Sequence, residues 1–330
     1  MQLRERLVSA FHFVRLAVFV LILPLVSVAQ AQDYPNKPIR VVLTYTAGGV
    51  SDGIMRLLAP KMEEKLGQKL IIEAKPGAAG NIGVIEVAKS PPDGYTLVVT
   101  AANNFVINQF TMKMPIDPLT ALAPVAKLAD VPLVLFSNPT IPAKNFSEFM
   151  AYVKANPGKI NIGSPAAGTV NHLLLERVKQ MRGLDMQHIP YRGSPQGVMA
   201  LLQNDIQLFT VGFAAGIGHL KDGKFTAMAV ATDERLPELP DVPTLIESGL
   251  PGFTGANWWG MAAPAGTPDA VIMKIREAVQ EALREPNVVE RYKALGLVIP
   301  KETPEQFAAS LKAEAATWSD TVKKGNITVE

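Results

Sequence analysis

The chain has no cysteine. Disulfides, thiolate metal sites and a lipid-modified cysteine anchor are therefore excluded. No Gly-x-Ser-x-Gly elbow, His-Glu-x-x-His helix or Walker loop occurs, so the common hydrolase, metalloprotease and nucleotidase signatures are missing. His188 and His219 have no carboxylate or histidine at metal-ligand spacing, and no metal site is expected. Short repeats and low-complexity segments are absent outside the amino terminus. Tryptophan is scarce, with three residues, and apolar content is ordinary at 48%, which fits a soluble globular protein.

What is present begins with an export signal. Arg4, Arg6 and Arg15 precede an apolar stretch, 16–28, that is short for a membrane span. Ala29-Gln30-Ala31 then offers small residues at the two positions a signal peptidase reads. The expectation is cleavage after Ala31 and a periplasmic location. Of 32 basic and 30 acidic residues, the first 31 positions hold three arginines and one glutamate, so 29 of each sign remain. A neutral mature chain offers no basic field for nucleic acid or anionic lipid. Its length is large for one core and natural for two α/β lobes.

Residues 44–56 organise the rest. The apolar run Ile39–Leu43 reads as a buried strand. Gly48 and Gly49 follow, and Ser51 or Asp52 is placed to cap a helix carrying Ile54, Leu57, Leu58, Met62 and Leu66. Such a turn gathers backbone N–H groups at a helix N-terminus, which favours an anion. The alternative is a plain strand-to-helix turn.

Further strands are expected at 69–73 and 95–100, with a helix from Asn81 between them. The β-α-β-α-β order predicts a parallel sheet, whose ligand site lies at the strand C-termini. Ala101-Ala102-Asn103-Asn104 sits at one such end. The apolar run 131–136 marks the crossing into a second lobe, and Ser147 is placed to cap the helix after it. A strand at 159–163 then leads into Ser164-Pro165-Ala166-Ala167-Gly168-Thr169 and an amphipathic helix. This repeats the opening arrangement: strand, small-residue loop, hydroxyl cap, helix. Strands at 186–190, 206–211 and 224–231 complete that half. The proline-rich stretch 235–253 reads as a surface excursion returning the chain to the first lobe. Helices at 268–284 and 304–323 close the fold.

An ordered series of segments resembles the Bug/TctC family, the extracytoplasmic solute receptors of tripartite tricarboxylate transporters. The series comprises Tyr34-Pro35, Lys37-Pro38-Ile39, the Gly48-Gly49 loop with Asp52, Pro76-Gly77-Ala78-Ala79-Gly80 and Pro92-Asp93-Gly94-Tyr95-Thr96. Pro190-Tyr191-Arg192-Gly193, Asp241-Val242-Pro243-Thr244 and Ala263-Pro264-Ala265-Gly266-Thr267-Pro268 continue it. The family commonly has proline before the double glycine, where this chain has Thr46-Ala47. It often has Gly-Gly where this chain has Gln203-Asn204.

The resemblance implies a type II periplasmic-binding-protein fold: two α/β lobes joined by crossing strands with a cleft between. Lobe 1 would comprise 32–129 and 257–330, and lobe 2 would comprise 130–256. It implies capture of a small carboxylate by backbone N–H groups and hydroxyls of two facing loops. The ligand would be a dicarboxylate, tricarboxylate, aromatic acid or acidic amino acid. On the first loop these are Tyr45, Thr46, Ala47, Gly48, Gly49 and Asp52, with Ala101 nearby. On the second they are Ser164, Ala167, Gly168 and Thr169. By residue type and position, His172, one turn into the following helix, is either a ligand contact or a satisfied structural histidine, and Arg192 either reaches a distal carboxylate or is a solvated loop arginine. Asp52 reads better as a cap than as a ligand to an anion. Trp258 and Trp259 read better as hinge packing than as cleft walls. No catalytic residue and no cofactor are expected, and the partners are membrane permease subunits, with the receptor itself a monomer. Two alternatives remain at this level. One is an exported dinucleotide-binding oxidoreductase built on Gly48, Gly49, Gly53 and Glu73, although Gly-Gly-x-x-x-Gly is not the dinucleotide fingerprint. The other is a solute sensor feeding a membrane signalling receptor.

Overall fold

The computed structural model describes residues 34–251 and 257–329. The expected signal peptide and its cleavage site, and Phe253, lie outside them. Ile39–Leu43 forms β1, with every residue but Arg40 buried. It lies between two parallel neighbours, β2 (Leu70–Ala74) and β3 (Thr96–Ala101). Between β1 and β2 runs α1 (Val50–Leu66), which ends at Gly67 in the left-handed region, φ 68°, as glycine C-caps do. Helix α2 (Asn81–Ala88) joins β2 to β3. Three short helices, α3 (Ala102–Val106), α4 (Asn108–Thr111) and α5 (Pro118–Ala121), lead into β4 (Leu122–Val131).

Pro132 alone separates β4 from β5 (Leu133–Ser137), which belongs to a different sheet. The second sheet then assembles from α6 (Phe146–Ala155), β6 (Asn161–Ser164), α7 (Val170–Arg182) and β7 (Gln187–Pro190). It continues through α8 (Ser194–Gln203), β8 (Leu208–Gly212), α9 (Phe213–Lys221) and β9 (Thr226–Val230). The chain returns as β10 (Asn257–Pro264), followed by α10 (Asp269–Leu283), α11 (Pro286–Ala294) and α12 (Pro304–Gly325).

The two sheets have matching orders, β2-β1-β3-β10-β4 and β7-β6-β8-β5-β9. Each has three parallel strands followed by an antiparallel one. In the first sheet that antiparallel strand arrives from beyond the second sheet, and in the second it is the strand that has just crossed. This is the expected two-lobed α/β architecture. The carboxyl ends of β1, β3, β6 and β8 all lie on the edges where the chain crosses, because Ala101 pairs with Trp259 and Leu133 with Gly212.

Several local expectations change. The first residue of α1 is preceded by Gly49, which makes no side-chain cap, and Asp52 sits inside the first turn. Asn145 rather than Ser147 caps α6, accepting from the Glu148 amide at 3.0 Å. Asn204 closes α8 at φ 63°, so asparagine occupies the left-handed position that glycine fills elsewhere. The stretch after Arg235 is more than surface: Leu236, Leu239, Leu245 and Leu250 are buried, since a proline-rich path can still turn leucines inward.

One apolar cluster runs through both halves. Trp258 packs on Phe105 and Phe307, with centroids 5.3 and 5.0 Å away. The same cluster continues through Trp318 into Leu173, Val178 and Phe146. Helix α12 thus leans on α7 and links the lobes besides the crossing strands. No described helix is long and apolar enough to cross a membrane.

Candidate functional site

The first loop leaves β1 at Thr44. Thr46, Ala47 and Gly48 are exposed. Gly48 takes φ +80° with open space around a would-be Cβ, a conformation that glycine adopts without steric cost. Its amide donates to Asp52 Oδ2 at 3.0 Å, and Arg56 Nε donates to the same oxygen at 2.9 Å. Arg56 first, and then the Gly48 N–H, hold the Asp52 carboxyl below the usual carboxylate range. Asp52 therefore fastens the loop from within the first turn of α1, without capping the helix. Gly49 donates to Thr46 O at 3.2 Å. Both glycine amides are thus spent on the loop's own shape. The N–H groups left for an anion belong to the first turn of α1, at Val50, Ser51 and Asp52, where a helix has no internal acceptor. Ser51 Oγ is buried and has no partner among the described residues.

Tyr45 anchors this loop. Its ring meets Trp259, and its hydroxyl reaches Ala79 O at 3.2 Å and Asn104 Oδ1 at 3.1 Å. Asn103 Nδ2 donates to that hydroxyl at 3.1 Å, and burial raises the phenol's pKa. Asn104 Nδ2 also donates to Ala79 O and to Asn81 Oδ1, and Asn108 Nδ2 donates to Asn81 Oδ1 at 2.7 Å. Ala78 and Ala79 sit at φ 46° and 53°, a strained region for a residue with a Cβ. The asparagines thus bind the three loops after β1, β2 and β3 into one unit. Sequence reasoning passed over this cluster. Its only signal was three asparagines, Asn103, Asn104 and Asn108, following a strand end. Ala101 is buried in register with Trp259 and belongs to the support beneath the loop.

The second loop is tied by its own hydroxyls. Ser164 Oγ donates to Ala166 O at 2.9 Å, and Thr169 Oγ1 donates to the same oxygen at 2.8 Å. Thr169 also caps α7, accepting from the His172 amide at 3.4 Å. Gly168, at φ +71°, donates to His172 Nδ1 at 3.0 Å, and a Cβ there would meet Val329 at 2.5 Å. Ala167 is half-buried. The amides of Val170 and Asn171 open α7 without internal acceptors. His188, given no role from sequence, lies in β7 with Nε2 2.8 Å from Ser164 Oγ and its ring stacked on His172. Burial pushes His172 down to about 4 and His188 to about 3. Arg192 is exposed on the next loop, which is joined to this one by Tyr191 N–H to Ser164 O and Gly193 N–H to Pro165 O.

The halves meet here too. Val329 donates its amide to Thr111 O at 2.9 Å, and Thr111 Oγ1 lies 3.7 Å from the Cβ position of Gly168. Among the described residues no group of three or more His, Cys, Asp or Glu is placed to hold a metal. A cavity of about 980 Å³ lies apart from both loops, against the outer strand β4, lined by Lys127, Asp130, Phe213, Glu234, Trp258 and Glu314. Trp258 donates its indole N–H to Glu314 there, at 3.0 Å. Trp258 therefore packs where the chain crosses, while Trp259 stands under the first loop.

The receptor model of the tripartite tricarboxylate transporter family (TctC) matches residues 54–327. A UPF0065 protein of Bordetella pertussis is 36% identical over 280 residues, which is 85% of this chain and 87% of that protein. Two solved structures are similar over nearly their whole lengths. MatC of Rhodopseudomonas palustris with bound malate has TM-score 0.71 and 31% identity, covering 88% of this chain and 100% of its own. An R. palustris protein with adipate has TM-score 0.75 and 29% identity, covering 90% of this chain and 99% of its own. With the family match running from within α1 to beyond the end of α12, the chain belongs to the tripartite tricarboxylate transporter receptor family, whose members are solute receptors rather than enzymes.

Proposed function

We propose that this chain is a periplasmic receptor that captures a small organic acid, foremost a dicarboxylate, and delivers it to membrane permease subunits of a tripartite transporter. The observation that carries the reading is the pair of helix N-termini. Helices α1 and α7, of 17 and 13 residues, each open from a glycine-containing loop on the edges where the chain crosses between sheets. Their first-turn amides and dipoles favour negative charge. The malate and adipate carried by the two similar structures, both diacids, support the choice of ligand class. Arg192 is the residue assigned to a second carboxylate.

The magnitudes are sufficient. A charge-assisted hydrogen bond contributes about 1.5–3 kcal/mol. Three or four of them, less the cost of closing the lobes, reach about −8 kcal/mol, a micromolar dissociation constant. The oxidoreductase alternative gives way to the family assignment. Its ribose-binding candidate, Glu73, is moreover engaged by Arg40 Nε at 2.9 Å.

A thermal-shift screen of mono-, di- and tricarboxylates against nucleotides and amines tests the reading. A ligand at about 100 times its Kd stabilises by about 2.7 kcal/mol, so weak binders register. Stabilisation by acids alone is the expected result. Stabilisation by a nucleotide or an amine, and by no acid, would replace it.

A further inference from the structure

Two imidazoles stand directly behind the second loop. His172 and His188 stack with centroids 3.8 Å apart and 13° between their planes. The loop fixes their tautomers. Gly168 donates to Nδ1 of His172, so that nitrogen holds a lone pair and the ring proton is on Nε2. Ser164 spends its own hydrogen on Ala166 O, so in the 2.8 Å contact His188 Nε2 is the donor. His172 is neutral while the loop keeps this shape, and burial keeps His188 neutral beside it.

A proton added to His172 has one place to go, Nδ1, where it would confront the Gly168 N–H. Few charges face the ring. Glu176, on the same helix, lies 3.9 Å from Nε2, but Lys179 holds that carboxylate at 2.8 Å. From β7 comes His188, uncharged. Burial, and then Lys179, accordingly keep the empty site's imidazole neutral.

An incoming carboxylate changes the balance. It is drawn to the opening of α7, one turn or less from His172, where the Gly168 N–H stands beside the unspent amides of Val170 and Asn171 and is held by a replaceable acceptor. We infer that a bound carboxylate takes the Gly168 amide from His172, and that His172 then takes up a proton at Nδ1, coupling capture of the acid to protonation of the receptor. This rests on the proposed function, a carboxylate held at this loop. His172 is a positioning residue. In the empty receptor it keeps the amide in place, and in the filled one it presents a positive charge to the acid. His188, stacked on it, fixes the ring plane and leaves room for only one charge between the two.

The coupling has a definite sign. The bound state holds His172 at a higher pKa than the unbound state, so affinity for the ionised acid, counted per fully ionised ligand, rises as pH falls from neutral. An adjacent opposite charge raises the pKa of a base by about 1–3. At low pH that corresponds to a gain in affinity of about ten- to a thousandfold.

The test takes whichever of adipate, malate and citrate binds tightest. Titration calorimetry at about pH 5.5, in two buffers of different ionisation heat, counts protons taken up by the wild type and by His172→Asn. Asparagine offers Oδ1 to Gly168 but accepts no proton, so the variant subtracts the ligand's own ionisation. Expected are a larger uptake in the wild type and an affinity that rises several-fold more steeply from neutral pH than in the variant. Nitrogen NMR of the wild type should show His172 Nδ1 becoming protonated on addition of the acid, which needs no variant to fold. Binding with equal proton counts, or with Nδ1 left bare, ends the inference and leaves the receptor reading standing. Binding of none of the three acids ends both.

Discussion

The rings of Tyr45 and Trp259 meet edge-on, 5.3 Å between centroids at 76°. Tyr45 opens the first loop and Trp259 lies in β10, the strand that returns from the second sheet. The contact therefore ties the loop to the crossing, and the Tyr45 hydroxyl ties the loop to the asparagine cluster. Tyr45→Phe keeps the ring contact and loses the hydroxyl's bonds, so it is expected to cost about 1–2 kcal/mol in urea unfolding. Trp259→Ala removes a buried aromatic and should cost about 3–5 kcal/mol. Equal costs would mean that the ring contact carries nothing.

Gly168 is constrained twice, by φ +71° and by Val329 at 2.5 Å from its Cβ position, whereas Gly48 at φ +80° has open space. Gly48→Ala should cost only the left-handed strain, about 1–2 kcal/mol. Gly168→Ala should cost that and a further overpacking penalty of about 1–3 kcal/mol. Adding Val329→Ala should recover the second part and leave the first, a coupling that a double-mutant cycle reads directly.

Acid should weaken the fold before the carboxylates titrate. His172 is held down to about 4 in the folded protein, while an unfolded histidine titrates near 6.5. Between those values the unfolded chain binds more protons, so stability is complete above about pH 6.5 and is lost as pH falls toward about 4, roughly 3 kcal/mol from this ring. His188 adds to the same window in the same direction. Urea melts at about pH 7.5 and about pH 5 should separate for the wild type and converge in the double variant His172→Asn/His188→Asn. An unchanged gap in the double variant would place the effect elsewhere.

Asp52→Asn keeps the side chain's shape and removes the charge that binds Gly48 N–H and Arg56 Nε. The expected loss is about 1 kcal/mol of stability. Ligand affinity should fall severalfold, because the loop that opens α1 loses its fastening. Calorimetry with a binding acid checks the affinity, and tighter binding would show that the carboxylate had been repelling the ligand.

Much of this was legible in the chain, for stated reasons. Alternation of β-branched runs with amphipathic segments gave the parallel strands, and the repeated strand–loop–helix at 159–182 gave the second half. Strand β4 was not seen. Its residues, with Pro124, Lys127 and Asp130 among the apolar ones, form a strand because β10 pairs along its whole length, and that partner lies far off in sequence. The helix caps slipped for a similar reason. Ser51 and Asp52 are good caps by type, yet the loop turns one residue earlier, at Gly49. At the site, the glycine loops were readable as anion-favouring turns. That their own amides are consumed, and that the first-turn amides remain, required the positions of Asp52 and His172. The stack of His172 on His188 follows no spacing rule. It exists because β7 lies parallel to β6, setting Ile162 opposite His188, beside the helix that β6 leads into.

The order of the strands also sets a timetable. The sheet of β5 to β9 is built from one contiguous stretch, so it can assemble as soon as that stretch is available. In the other sheet, among the described residues, β4 has no strand neighbour except β10, the last of the described strands. An emerging polypeptide thus completes its latter lobe first, while the earlier one waits with a gap between β3 and β4. A chain halted before residue 257 would carry β4 as a bare, unsatisfied edge, open to pairing with its neighbours.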